Sequence, residues 1–157
     1  MKHKLLVAVD GEKTSSKVVD YVARACAGSN NDEFAIVIFH VLPAFPAYDY
    51  LAGGYAPDRD VLDWFDNQTR LAGTEILAKS KETPVKQGGV KPERVTTETA
   101  KERGAIAPQI LQAAADHNCD TIVVGRRDRS MVAAFFLGSV VEHLLRNPVG
   151  FASWVVE

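Results

Sequence analysis

Apolar positions in this chain alternate between two periods. Leu5-Leu6-Val7-Ala8-Val9 is a continuous apolar run ended by Asp10-Gly11, the pattern of a strand covered on both faces. Val18, Val22 and Cys26 then fall on one helical stripe, with Val19 and Ala23 beside it, and Gly28 to Asn31 stops the helix. Phe34 to Leu42 is a second apolar run, closed by Pro43. The three segments make a β-α-β unit, whose crossover is expected to be right-handed.

The stretch Pro43 to Pro57, "PAFPAYDYLAGGYAP", has three prolines, two glycines and three tyrosines. It reads as an irregular loop, and a loop of that length is more often functional than idle. A long helix is expected from Asp58 to near Lys81, with Val61, Phe65 and Gln68 to Leu71 turned to the core. Pro84 to Pro92 reads as a turn and Glu93 to Thr99 as a weaker strand. Ala105 to Ala115 reads as a helix with Ile106, Ile110 and Leu111 inward, and Cys119 to Val124 as the next strand. Ser139 to Arg146 is the last helix and Ala152 to Glu157 the last strand. Strands alternating with helices predict one open parallel sheet with helices on both faces. Ligands of such sheets sit beyond the carboxyl ends of the strands, where the strand order reverses. Attention therefore falls on Asp10-Gly11 and on the segment that starts at Gly125.

A length of 157 residues suits a single domain, 1–157, and the apolar and charged shares, 46% and 24%, are those of globular chains. The formal net charge is −2, and one basic cluster stands out, Arg126, Arg127 and Arg129. Nucleic acid is therefore not an expected partner. The apolar run after Met1-Lys2-His3-Lys4 is too short for a signal core or a membrane span, so no membrane is expected and the location is read as cytoplasmic. Cys26 and Cys119 lack metal or redox spacing and read as buried thiols. The four histidines show no metal-ligand pairing, and no GxSxG, GxxxxGK[ST] or GxGxxG occurs, so neither a catalytic residue nor a metal site is assigned. His40, at a strand end, reads as a hydrogen-bonded structural residue.

Gly138-Ser139 opens a helix, whose unpaired N–H groups attract anions, and Gly138 would let a phosphate approach the main chain. Gly125 would permit a sharp exit from its strand, and Asp10 could accept hydrogen bonds from ribose hydroxyls. Each also has a plain structural reading. Ser139 with Glu142 is a capping box, Gly125 is ordinary turn chemistry, and Asp10 can shape a turn or cap a helix.

"LLVAVDG", "FHVL", "GAIAPQIL" and "CDTIVVGRRD…LGSVVEHLLRN" together resemble a universal stress protein domain over nearly the whole chain. The resemblance implies an adenine nucleotide alpha hydrolase-like sheet with strand order 3-2-1-4-5. The family's nucleotide-binding members carry glycine, two residues, glycine, nine residues, then glycine and serine or threonine. Gly125, Gly138 and Ser139 match the first, third and last positions, and Asp128 replaces the second glycine. By resemblance, Ala8, Val9 and Asp10 would contact adenine and ribose, and Val41 and Val124 would line the base pocket. Gly125, Gly138, Ser139 and Val140 would then hold ribose and phosphates, with ATP and Mg²⁺ as the implied ligands.

Asp128 would set a carboxylate against the phosphates. Two like charges about 4 Å apart cost roughly 1 kcal/mol in water and about 4 near a protein surface. Arg126, Arg127 and Arg129 could offset this charge, or Asp128 could pair with one of them and fill the gap. Two readings follow. One is an adenine-nucleotide-binding stress or signalling protein with weakened affinity and, at most, slow ATP hydrolysis. The other is a nucleotide-independent interaction module of the same fold. A third, an adenylate-forming transferase, would need catalytic groups not found here. In both leading readings the resemblance, with the exposed last strand, implies a homodimer through that strand.

Overall fold

The computed structural model describes residues 2–29, 32–126, 139–146 and 150–157. Its strands are β1 (His3–Ala8), β2 (Phe34–Leu42), β3 (Val95–Lys101), β4 (Thr121–Gly125) and β5 (Ala152–Val156). All pair in parallel, in the order β3-β2-β1-β4-β5. This is the order implied by the resemblance. The chain steps outward from β1 to β3, then returns beside β1 with β4, so the order reverses between β1 and β4.

Helices α1 (Lys13–Cys26) and α3 (Arg59–Lys86) cover one face, and α4 (Ile106–Asp116) and α5 (Ser139–Arg146) the other. The continuous apolar strands follow from this double cover. Leu5, Val7, Ile36, Ile38 and Val123 point toward α1 and α3, while Leu6, Val37, Phe39, Ile122 and Val124 point toward α4 and α5. Burying each such side chain is worth roughly 1.5–3 kcal/mol relative to leaving it exposed. The edge strands differ: β3, VTTETAK, and β5, ASWVV, are largely exposed outside one or two inward positions. Among the described residues no helix is long and apolar enough to cross a membrane.

Cys26 lies in the core under α1 and Cys119 in the core under α4. Burial pushes both thiols up from 9.0 to about 11, which keeps them protonated and poorly nucleophilic near neutral pH.

Four sequence expectations need correction. The 43–57 segment is not wholly irregular: α2 (Ala47–Ala52) forms within it, and Phe45 packs on Tyr50 and Phe65 with ring centroids 4.8 and 5.2 Å apart. The long helix does not stop near Lys81 but runs through Pro84 to Lys86. Pro84 is buried, and the carbonyls at the helix end are taken up by Gln87 and Val90 N–H groups, at 2.8 and 3.1 Å. Packing thus overrides the breaker. The inward stripe of α3 passes through Val61, Phe65, Gly73 and Leu77, whereas Leu71 is 65% exposed. On α4, Ile110 is buried but Ile106 stands at the exposed first turn.

Candidate functional site

The polypeptide leaves β1 through a polar lock. Asp10 N–H donates to Ser15 Oγ at 2.8 Å, and Ser15 Oγ–H returns a bond to Asp10 Oδ1 at 2.7 Å. Glu12 N–H adds a third bond to Asp10 Oδ1, at 3.0 Å. Ser15 is buried in the first turn of α1, so this arrangement fixes where α1 starts relative to the strand end. Between Asp10 and Ser15, Gly11 turns the chain with φ +82°, and Ile76 of α3 lies against its Cα: a Cβ there would fall 2.6 Å from Ile76 Cδ1.

The exit of β4 is made differently. Gly125 is still in the strand and has no positive φ, and the exit expected there, beyond Arg126, lies outside the described residues. The requirement is space. A Cβ on Gly125 would collide with Thr14 Cγ2 and stand 3.0 Å from Val18 Cγ2, both on α1. Glycine lets helix and strand end touch.

Between these exits lies a cavity of about 150 Å³. It gathers seven of the residues singled out in the sequence: Ala8, Val9, Asp10, Val41, Val124, Gly125 and Val140. Thr14, Ser15, Val18, Phe39, Ile110 and Val141 complete much of its wall, and Ile106 forms part of its rim. The sequence carried signals for several of these, since Val18 and Ile110 lie on the amphipathic stripes of α1 and α4. Thr14 and Ser15 carried none, because a hydroxyl one turn into a helix is common. The volume is below the roughly 300–1,000 Å³ of pockets that enclose a whole drug-sized molecule. It suits a ring-sized group, with the remainder of a larger ligand lying over the rim.

His40 also borders the cavity and is 5% exposed. Its Nδ1 lies 2.8 Å from the Val9 carbonyl, and a ring donating there presents Nε2 as an acceptor. The structural reading of His40 is thus supported by a specific bond, in a residue that still faces the site. Gly73 of α3 stands against it: a Cβ there would meet His40 Cδ2 at 3.3 Å. None of the described residues of 43–57 lines the cavity.

Arg127, Asp128 and Gly138 lie outside the described residues, as does the side chain of Ser139. Arg126 pairs with Glu157 at 2.5 Å and donates its N–H to the Val156 carbonyl at 2.8 Å, tying the end of β4 to the end of β5. Glu142, the partner expected for a Ser139 cap, forms an ion pair with Arg146 at 2.7 Å. Among the described residues no three His, Cys, Asp or Glu side chains converge as a metal site.

The model of the universal stress protein family matches residues 1–148. The chain is 31% identical over 142 residues to universal stress protein YxiE of Bacillus subtilis (strain 168), covering 89% of each. Among solved structures, it resembles a universal stress protein in complex with cAMP, with TM-score 0.67 and 20% identity over 99% of this chain and 97% of that one. It likewise resembles the universal stress protein from Archaeoglobus fulgidus in complex with dAMP, with TM-score 0.58 and 17% identity over 99% of this chain and 98% of that one. At those identities the likeness is one of fold.

Proposed function

The chain belongs to the universal stress protein family, and on that footing we propose that it binds an adenine nucleotide at the switch point between β1 and β4. One observation carries the proposal: residues from three strand ends and α5 close on a single apolar-floored cavity beside the Asp10 carboxylate. That two solved relatives are complexes with cAMP and dAMP supports it. In this reading Val41, Val124 and Val140 receive the base, and Ala8, Val9 and Asp10 border base and ribose. The phosphates run toward Gly125, Gly138 and Ser139. A divalent ion such as Mg²⁺ would arrive bound to the phosphates. The protein acts in the cytoplasm through binding, in stress response or signalling, with at most slow ATP hydrolysis.

Affinity is expected to be modest, because Asp128 brings a carboxylate and a Cβ to a position that the family's nucleotide-binding members fill with glycine. Calorimetric titration of the full chain with ATP and Mg²⁺ tests this. Weak binding that tightens several-fold in Asp128→Gly is the expected result, about 1 kcal/mol of relief, at the solvent-screened end of the cost of a like-charge contact. Heat from neither protein at about millimolar nucleotide, the scale of a −4 kcal/mol interaction, would overturn the reading.

A second reading has its own observation. β5 ends the sheet, pairs with β4 alone among the described strands, and is largely exposed along its length. An open edge of that kind pairs readily with another chain. The protein is therefore expected to be a homodimer through β5, and would act as a nucleotide-independent module should the titration fail. Light scattering checks this; a monomeric mass at micromolar concentration removes the dimer.

A further inference from the structure

The outward face of α3 carries a feature that nucleotide binding does not use. The helix buries one stripe against the sheet, as amphipathic helices do, and should be polar opposite. Its second and fourth turns instead expose Trp64 and Leu71, 62% and 65% accessible and seven residues apart. A seven-residue spacing puts both on one side of the helix, about 10 Å apart along the axis. Asp60, one turn before Trp64, shares its side of the helix, Asp63 stands at the edge of that side, and both are exposed. Neither forms an ion pair among the described residues, whereas Asp66 is bound by Lys101 at 2.7 Å and Asp58 caps the helix through Val61 N–H at 3.0 Å.

Charge identifies what fits there. Residues 60–71 carry three aspartates, of which Asp66 is paired with Lys101, and one arginine, a formal charge of −2 with no lysine or histidine among them. An anionic membrane surface or a nucleic acid would be repelled by this field. A basic segment of a partner protein would be attracted to it and could cover the two apolar anchors. Tryptophan in such a position is a common centre of binding energy. We propose that the Asp60–Leu71 face of α3 is a docking surface for a basic, amphipathic segment of a partner protein, with Trp64 and Leu71 as anchors and Asp60 and Asp63 as charge selectors.

The probe is a fluorescent peptide of about 18 residues, leucine and lysine in helical spacing, with a glutamate-for-lysine peptide as its control. Fluorescence anisotropy with the full chain should show binding of the lysine peptide only, weakening as salt is raised. Trp64→Ala should weaken it by about tenfold or more, the scale of an interface anchor. Asp60→Lys with Asp63→Lys should weaken it further and admit the glutamate peptide. Asp116→Lys, on α4 across the sheet, should leave binding unchanged; circular dichroism verifies that each variant is folded. Equal binding by all variants, or binding of neither peptide, overturns the proposal. So does a fall in solution mass with Trp64→Ala, which would assign this face to a second copy of the chain.

Discussion

At the exit of β1 the chain turns through Gly11 at φ +82°, and three hydrogen bonds among Asp10, Glu12 and Ser15 hold the turn. At the exit of β4 the chain is still in its strand, and Gly125 is bare because Thr14 and Val18 of α1 occupy the space a Cβ would need. The first glycine answers a demand of backbone conformation, the second a demand of packing. Both frame the same cavity, and neither requires a ligand to explain it. A motif glycine at position 125 is therefore weak evidence for phosphate by itself. The convergence of both exits with Val41 and Val140 on one space is the stronger argument, because the core alone does not need a cavity there.

The largest effect is expected at Gly125. Gly125→Ala forces a Cβ onto the Thr14 methyl and against Val18, a case of overpacking that costs about 1–3 kcal/mol. For a chain of this size that lowers the melting temperature by roughly 2–4 °C per kcal/mol. Thr14→Ser removes the colliding methyl, so the double variant should recover most of the loss, giving a coupling energy that a double-mutant cycle reads directly. The same double variant separates packing from ligand. Recovery of stability with ATP binding restored means that glycine served α1. Recovery of stability without binding means that the phosphates also need the bare main chain.

The difference between the two exits also marks how far the sequence could be read. The apolar runs of β1, β2 and β4 and the stripe of α1 were legible because burial on two faces leaves an uninterrupted signal. The pattern sets β3 two residues early, since VTTETAK is an edge strand whose polar positions carry little signal. α2 is hidden from the sequence because proline and glycine around Ala47–Ala52 speak for a loop, while the packing of Phe45 on Phe65 comes from another helix. Pro84 misled for the same reason: its burial is a tertiary fact. At the site, the residues on strand ends could be picked out by position. Thr14 and Ser15 could not, since their roles exist only once α1 is laid against β4 and Asp10.

A smaller effect, differently composed, is expected at Gly11. Alanine there must adopt φ +82°, a left-handed conformation that costs a non-glycine residue about 1–2 kcal/mol. It also meets Ile76, 2.6 Å from Cδ1 and 2.9 Å from Cγ1, a side chain that has to turn aside. Gly11→Ala should therefore lower stability by about 1–2 kcal/mol from backbone conformation, with a further part for displacing Ile76. Ile76→Val removes the Cδ1 contact but keeps the γ carbon 2.9 Å away and leaves the backbone strained, so it should rescue little. A coupling energy between positions 11 and 76 well below that between 125 and 14 is the expected outcome of parallel thermal denaturation cycles. Equal coupling at the two exits would mean that crowding governs both glycines and that the Asp10–Ser15 lock bends the chain without needing glycine's freedom.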